Sequence, residues 1–168
     1  EYNVLVNTIL IASAFYLFFV TLRDFFIKKY KNLAQNIAHF GFSLLILSIL
    51  FNNLLSTEII TNLKVGEVYD DSKTKIVFES INQKNQKNYK AIIANFSILN
   101  SNGTNDNLSP ELRIYNQPKI TTSEADIQTT LMRDKFIVIN LVQNQDYFNV
   151  RYQVKPFMLW IWFSVLII

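Results

Sequence analysis

The chain has 168 residues, of which 50% are hydrophobic and 17% charged, and its formal net charge is +3. It contains no cysteine, which excludes disulfides, thiolate metal sites and thiol redox chemistry. Its basic residues form no patch outside one short loop, so nucleic-acid binding is not expected. The apolar residues are concentrated at the two ends and in one internal run, a distribution typical of membrane proteins.

The first apolar run, residues 4–22, is long enough to cross a membrane. It carries no charged side chain and as a helix extends about 28 Å at ~1.5 Å per residue, close to the ~30 Å of a bilayer core. A signal peptide is the alternative interpretation. In a signal peptide, however, the basic cluster precedes the apolar run, whereas here it follows. The cluster consists of Arg23, Lys28, Lys29 and Lys31.

The second apolar run, residues 33–56, lacks acidic side chains, lysine and arginine. The loop between the runs carries the basic cluster against a single acid, Asp24. Such a loop lies in the cytoplasm by the positive-inside rule. We therefore predict that residues 1–57 form two transmembrane helices, about 4–22 and 33–56, joined by a cytoplasmic basic loop.

Residues 58–155 are predicted to form a β-rich domain on the extracytoplasmic side, with an antiparallel sandwich or an open barrel as its fold. Thr121 and Glu124 match a capping box that would begin a short helix through Met132, yet residues 120–122 also fit a strand, and both interpretations stay open. β-branched and aromatic residues predict strands at 74–79, 89–99, 135–142 and 147–154. Turn residues lie at Asp70-Asp71-Ser72 and Ser101-Asn102-Gly103.

A third apolar segment occupies residues 156–168. Pro156 is predicted as its first helical residue, where its missing amide costs nothing. Trp160 and Trp162 lie near the start, at the headgroup level that tryptophan favours. The sequence begins without methionine and ends inside this run, so we expect a truncated third transmembrane helix and a piece of a longer, multi-pass protein.

His39 is the only histidine, and it lies inside the second predicted helix. An ionisable side chain in lipid needs a partner. Small residues nearby, Ala34, Ala38, Gly41 and Ser43, would let a helix or a flat cofactor approach. Two interpretations stay open: a hydrogen bond to a neighbouring helix, or ligation of a metal or haem, for which neutral imidazole is a standard axial ligand. A single histidine leaves bis-histidine ligation incomplete, so the other ligand would come from outside this segment.

Seven short motifs follow one another along the chain. The first is Ala38-His39-Phe40-Gly41-Phe42, in the second predicted helix. The others are Gly66-Glu67, Asn88-Tyr89 with Ala91, Leu108-Ser109-Pro110-Glu111 with Arg113 and Tyr115, Thr122-Ser123-Glu124-Ala125 with Ile127, Asp134 with Phe136, and Lys155-Pro156 with Trp160-Ile161-Trp162. In order and topology they resemble the CcmF family, the haem lyase component of cytochrome c maturation.

The resemblance implies that the full protein accepts haem from the haem chaperone CcmE and attaches it covalently to apocytochrome c, which a CcmH-type thiol component presents. It implies a membrane haem b with His39 as one axial ligand of the iron, and assigns no catalytic residue here. The family's other membrane histidine and its tryptophan-rich segment are missing from this sequence, so the segment is not expected to be catalytic alone.

The implied location is a bacterial inner membrane with a periplasmic domain, or an organellar inner membrane. The alternative function is a membrane-anchored assembly or binding module in which His39 is purely structural. A transporter would need inverted repeats, which the three predicted helices do not show.

Overall fold

The computed structural model describes residues 2–27, 33–100, 103–142 and 146–168. Lys28, Lys29 and Lys31 of the predicted loop, and Ser101 and Asn102 of the second turn, lie outside the described residues. The chain divides into two compact units. A helical unit comprises residues 1–56, 129–134 and 155–168, and a β unit comprises residues 57–128 and 135–154.

Three helices and ten strands make up the described part of the chain. The helices are α1 (Tyr2–Ile27), α2 (Leu33–Leu55) and α3 (Met158–Ile167). The strands are β1 (Thr57–Leu63), β2 (Val68–Asp70), β3 (Thr74–Asn85), β4 (Tyr89–Asn100), β5 (Asn105–Leu108), β6 (Glu111–Tyr115), β7 (Thr121–Glu124), β8 (Asp126–Thr129), β9 (Arg133–Leu141) and β10 (Phe148–Pro156).

Helices α1 and α2 each contain an apolar stretch long enough to cross a membrane, Leu5–Ile27 and Leu33–Leu55. They pack along one another through aromatic rings and one hydroxyl pair. The Oγ1 of Thr21 and the Oγ of Ser43 lie 2.7 Å apart. Each hydroxyl also lies within hydrogen-bond distance of a carbonyl oxygen of its own helix, Thr21 of Leu17 at 2.9 Å and Ser43 of Phe40 at 2.8 Å. The contact between them links α1 and α2 at that level.

Helix α3 packs against α2 at a glycine. A Cβ at Gly41 would lie 3.0 Å from Cγ1 of Ile167 and 3.3 Å from the carbonyl oxygen of Ser164. Nearer the other end of the contact, the Asn52 side chain donates to the Pro156 carbonyl at 2.6 Å. Gly41 therefore permits the close approach that a larger side chain would block.

The prediction that Pro156 is the first residue of the third helix is wrong. Strand β10 continues through Pro156, and α3 begins at Met158. Between them Phe157 takes a left-handed conformation, with φ 60° and ψ 15°. The fixed φ of proline suits the end of an extended strand as well as a first helical turn, so the sequence alone does not separate these outcomes.

The β unit is an antiparallel sandwich, one of the two folds predicted for it. One sheet has the strand order β1-β10-β9-β8 and the other β2-β3-β4-β6-β7, with β5 also paired to β4. Alternate residues of both sheets form a single core. Its centre is the stacked pair Phe78 and Phe96, whose ring centroids lie 4.4 Å apart.

The four predicted strands are all present, as parts of β3, β4, β9 and β10. The segment from Thr121 to Met132, left open between helix and strand, forms β7 and β8. Strand β7 pairs with the free edge of β6. In this ladder Leu112 of β6 lies opposite Ser123 of β7, and Arg113 lies opposite Thr122. These ladder hydrogen bonds outweigh the local capping preference.

An ion pair is buried between the two sheets. The Lys135 ammonium on β9 contacts the Asp106 carboxylate on β5, and these side chains are 6% and 9% exposed. The same carboxylate oxygen accepts a hydrogen bond of 2.9 Å from the Asn100 side chain. Burial of both charges makes each dependent on the other, because an unpaired charge in this position would lose its hydration without compensation.

We expect Lys135→Met to lower the free energy of unfolding by about 3–5 kcal/mol, because Asp106 would stay buried without its cation. Asp106→Leu leaves the ammonium unpaired and should cost a similar amount. The double variant should recover most of the loss. Chemical denaturation in detergent, followed by the β-sheet circular dichroism signal, measures all three; additive losses in the double variant would contradict the pairing.

The turn between β2 and β3 is held by Asp71. Its Oδ1 accepts hydrogen bonds of 2.7 Å from the backbone amides of Lys73 and Thr74. These two amides hold the pKa of Asp71 below its ordinary value of 3.8. Because the folded pKa is lowered, the ionised carboxylate stabilises the fold above pH 3.8, and this contribution is lost as the pH falls through the lower folded value.

Asp71→Ala should therefore lower the unfolding midpoint near neutral pH, and the gap to the wild type should narrow as the pH falls below 3.8. Asp71→Asn keeps an acceptor oxygen without the charge, so its unfolding midpoint should lie between those of Asp71→Ala and the wild type. Asp70→Asn is the matched control, since the described contact of the Asp70 carboxylate is an exposed ion pair of 3.2 Å with Lys75. A gap that stays constant down to pH 2 would rule out the charge as its source.

Candidate functional site

His39 lies in the first half of α2, and its side chain is exposed. The ring Nε2 of His39 is 3.3 Å from the side-chain amide nitrogen of Gln35, one turn earlier on the same helix. With the amide as donor, Nε2 accepts through its lone pair, the same lone pair that a metal ion would bind. Among the described residues, the hydrogen-bond partner of His39 thus belongs to its own helix.

The small residues around His39 serve two different purposes. Gly41 and Ser43 are buried, and they contact α3 and α1 respectively. Ala34 is exposed and Ala38 half-buried. The expected close approach of a helix thus occurs at Gly41 and Ser43, whereas the imidazole of His39 remains open to other groups.

His39 could ligate a haem iron, because its imidazole is exposed on an apolar helix. The neighbouring exposed side chain, Phe42, is 52% exposed and apolar, which suits contact with a porphyrin face. No group of three or more histidine and acidic residues that could hold a metal ion occurs within the described ranges. Within these ranges, His39 is thus a candidate ligand without a cluster of metal-binding side chains around it.

A second candidate site lies on the β unit, at an aromatic and charged cluster that we call the Arg113 cluster. The Arg113 guanidinium donates to Glu111 at 3.0 Å and lies 3.8 Å from Glu124. It also stands over the Tyr89 ring, 5.3 Å from the centroid. The ring of Tyr115 is 5.2 Å from that of Tyr89. The Arg113 cluster comprises Tyr89, Glu111, Arg113, Tyr115 and Glu124.

The strand register explains why these five residues meet. Tyr89 on β4 pairs with Tyr115 on β6, and Glu111 on β6 pairs with Glu124 on β7. Glu111, Arg113 and Tyr115 are alternate residues of β6 and share one face, while Leu112 between them enters the core. Three sequence motifs thus converge on one surface.

Electrostatically, the Arg113 cluster is an ionised centre. The hydrogen bond to Glu111 raises the pKa of the Arg113 guanidinium. Both carboxylates and the Tyr89 ring face a cation that stays charged. The sequence identified these positions as motif residues, but their meeting was unpredictable because β6 and β7 were not recognised as strands.

Several other motif residues serve the fold. Gly66 has φ 87°, and its amide donates to the Phe78 carbonyl at 2.7 Å. Leu108 and Pro110 are buried in the β unit. The Trp160 indole donates to the Leu131 carbonyl at 3.0 Å within the helical unit. These contacts stabilise a turn, the core of the β unit and the start of α3.

Comparison with known proteins identifies a family model that matches residues 54–156, described as the CcmF C-terminal beta-sandwich. Among curated relatives, the cytochrome c-type biogenesis protein CcmF of Haemophilus influenzae is 27% identical over 126 residues, covering 75% of this chain and 19% of the relative. The protein of the same name from Escherichia coli is 26% identical over 125 residues, covering 74% and 19%. The chain spans about a fifth of the length of these relatives.

A solved structure, cytochrome c heme lyase CcmF, has the same fold as this chain. The TM-score is 0.61 at 16% sequence identity, and the match covers 80% of this chain and 22% of that one. The resemblance drawn from the seven motifs is confirmed, because the family match extends from the end of α2 to the end of β10. The chain belongs to the CcmF family of cytochrome c biogenesis proteins and contains the family's C-terminal β-sandwich.

Proposed function

We propose that the chain is part of a haem lyase of cytochrome c maturation, which binds haem and attaches it covalently to apocytochrome c. In this proposal the chain supplies one axial ligand of a membrane haem b, through His39, and an extracytoplasmic docking domain. Membership of the CcmF family and the exposed imidazole of His39 on an apolar helix support it. The segment is not proposed to be catalytic alone.

The proposal includes a membrane location. Residues 1–57 contribute two membrane-spanning helices, residues 58–155 the extracytoplasmic domain, and residues 156–168 the start of a third span. The helix surfaces support this, since Tyr16 is 72% exposed, Ile27 68% and Leu166 84%. Apolar side chains exposed this densely are unfavourable in water and suited to lipid. The location is a bacterial inner membrane with the β unit in the periplasm, or an organellar inner membrane.

His39 would hold the haem iron through Nε2. The packing of α2 fixes the helix that carries His39, because Ser43, one turn later, is hydrogen-bonded to Thr21 on α1. Gln35 would release its hydrogen bond to Nε2 when the iron binds. A bound haem supplies a one-electron redox centre, and the apolar helix surroundings lower the local dielectric around it. A further ligand of the iron would come from residues other than those described.

We expect His39→Ala, in the intact protein purified from membranes, to lose the b-type visible spectrum or to retain about a tenth of its haem or less. Mutation of a residue that only hydrogen-bonds to a metal ligand typically lowers metal affinity about 10- to 100-fold, and removal of the ligand itself costs at least as much. Imidazole added to a His39→Gly variant should restore part of the spectrum.

Gln35→Ala is the matched control, because it removes only the hydrogen bond to the ring and should keep the spectrum. If His39→Ala kept an unchanged b-type spectrum, the ligand assignment would be wrong. That outcome would favour the alternative function, a membrane-anchored assembly or binding module in which His39 is structural.

The proposed docking partners are apocytochrome c, the haem chaperone CcmE and a CcmH-type thiol component. The Arg113 cluster supports a docking role, because arginine and tyrosine side chains that are partly exposed and held rigid are frequent binding hot spots. The Arg113 side chain is 31% exposed and already oriented by its two carboxylates. Such preorganisation reduces the entropy lost on binding.

Tyr89→Ala with Arg113→Ala should weaken binding of at least one of these three partners by about tenfold or more. Binding of each purified partner to the intact protein in detergent, by biolayer interferometry, measures this. Lys73→Ala, at the exposed β2–β3 turn, is the control. Unchanged affinity for all three, with an unchanged unfolding midpoint, would remove the Arg113 cluster from the docking role.

A further inference from the structure

The hairpin between β8 and β9 has an apolar tip. Leu131 and Met132 form its two central residues, and they are 59% and 55% exposed. The turn is closed by Thr130 and Arg133, since the Thr130 amide donates to the Arg133 carbonyl at 3.0 Å. Tight turns normally carry polar residues, glycine or proline at their tips. Two large exposed hydrophobic residues at this position are unfavourable in water and would be stabilised by an apolar environment.

The tip belongs to the helical unit, which comprises residues 129–134 together with the three helices. Two hydrogen bonds hold it to the start of α3. The Phe157 amide donates to the Met132 carbonyl at 2.9 Å. The Trp160 indole donates to the Leu131 carbonyl at 3.0 Å. Both tip carbonyls therefore have hydrogen-bond partners, which lowers the cost of placing them in lipid.

A groove lies between the tip and α3. Its volume is about 340 Å³, at the lower end of the range for pockets that hold small ligands. It is lined by six apolar or aromatic side chains: Leu131, Leu159, Trp160, Trp162, Phe163 and Leu166. Leu159 and Leu166 are seven residues apart on α3, so the groove extends about 10 Å along the helix at ~1.5 Å per residue.

The lining and the flanking residues indicate the occupant. A groove without an acidic, basic or amide side chain suits a hydrocarbon chain. Arg133 is exposed directly beside the tip, where a guanidinium can meet a phosphate headgroup. Trp160 and Trp162 are of the type that favours the boundary between headgroups and hydrocarbon.

We propose that the Leu131-Met132 tip inserts into the outer leaflet beside α3, and that the groove holds an acyl chain of a membrane phospholipid. This inference rests on the proposed membrane location of the helices. The tip is then a lipid anchor that fixes the strand connection β8–β9 at the membrane surface. A helix of another segment or protein is the competing occupant of the same groove.

Photo-crosslinking in native membranes tests the occupant directly. A benzophenone amino acid is placed at position 131, and separately at 132, in the intact protein. Adducts are identified by mass spectrometry after illumination. Position 49 on α2, where Ile49 is 49% exposed, reports whether the helices lie in lipid, and position 73 at the β2–β3 turn reports background.

We expect phospholipid adducts at positions 131, 132 and 49, with yields several-fold above position 73. Trp160→Phe should lower the yield at 131 several-fold and leave that at 49 unchanged, because the Leu131 carbonyl would lose its donor. Lipid adducts at 49 with protein adducts, or none, at 131 and 132 would overturn the anchor and leave the membrane location standing. Absence of lipid adducts at position 49 would overturn both the lipid anchor and the membrane location.

Discussion

The pairing of β1 with β10 is the constraint on which the architecture depends. The first and last strands of the sandwich form one antiparallel ladder, from Thr57 opposite Val154 to Leu63 opposite Phe148. A single residue separates α2 from β1, and another separates β10 from α3. A domain whose two chain connections leave from one ladder can be inserted between consecutive helices without long linkers. In the helical unit, the bond from Asn52 to Pro156 then holds α2 and α3 together.

The two units use apolar residues in opposite ways. In the sandwich, Ile76, Phe78 and Ile137 are fully buried in the core between the sheets. On α1 and α2 the apolar residues surround the helix, and many stay exposed. A sheet with one apolar face can bury that face and leave the other in water. A helix that is apolar all round needs an apolar environment on every side, in a large protein core or in a membrane. The same residue types thus separate a domain suited to water from helices suited to lipid.

The sequence predicted the helices and strands that have strong local patterns. It did not predict the strands that form because a neighbouring strand is available for pairing. Long uncharged runs marked the helices, and β-branched runs marked parts of β3, β4, β9 and β10. β7 is short and polar, and it is a strand because β6 lies beside it. Likewise, no local pattern shows that Lys135 pairs with Asp106 or that Tyr89 meets Arg113, since each contact joins distant strands. Short-range patterns carry no information about such partners.

The position of His39 on the second helix could be predicted, but its hydrogen bond to Gln35 on the same helix could not. The flanking small residues are used in packing, Gly41 against α3 and Ser43 against α1, which fixes α2 without involving the imidazole. An exposed histidine on an apolar helix is costly in lipid unless another group satisfies it. Gln35, itself exposed, provides only a hydrogen bond within the same helix. The described contacts of α2 with α1 and α3 therefore leave the imidazole of His39 accessible to a ligand.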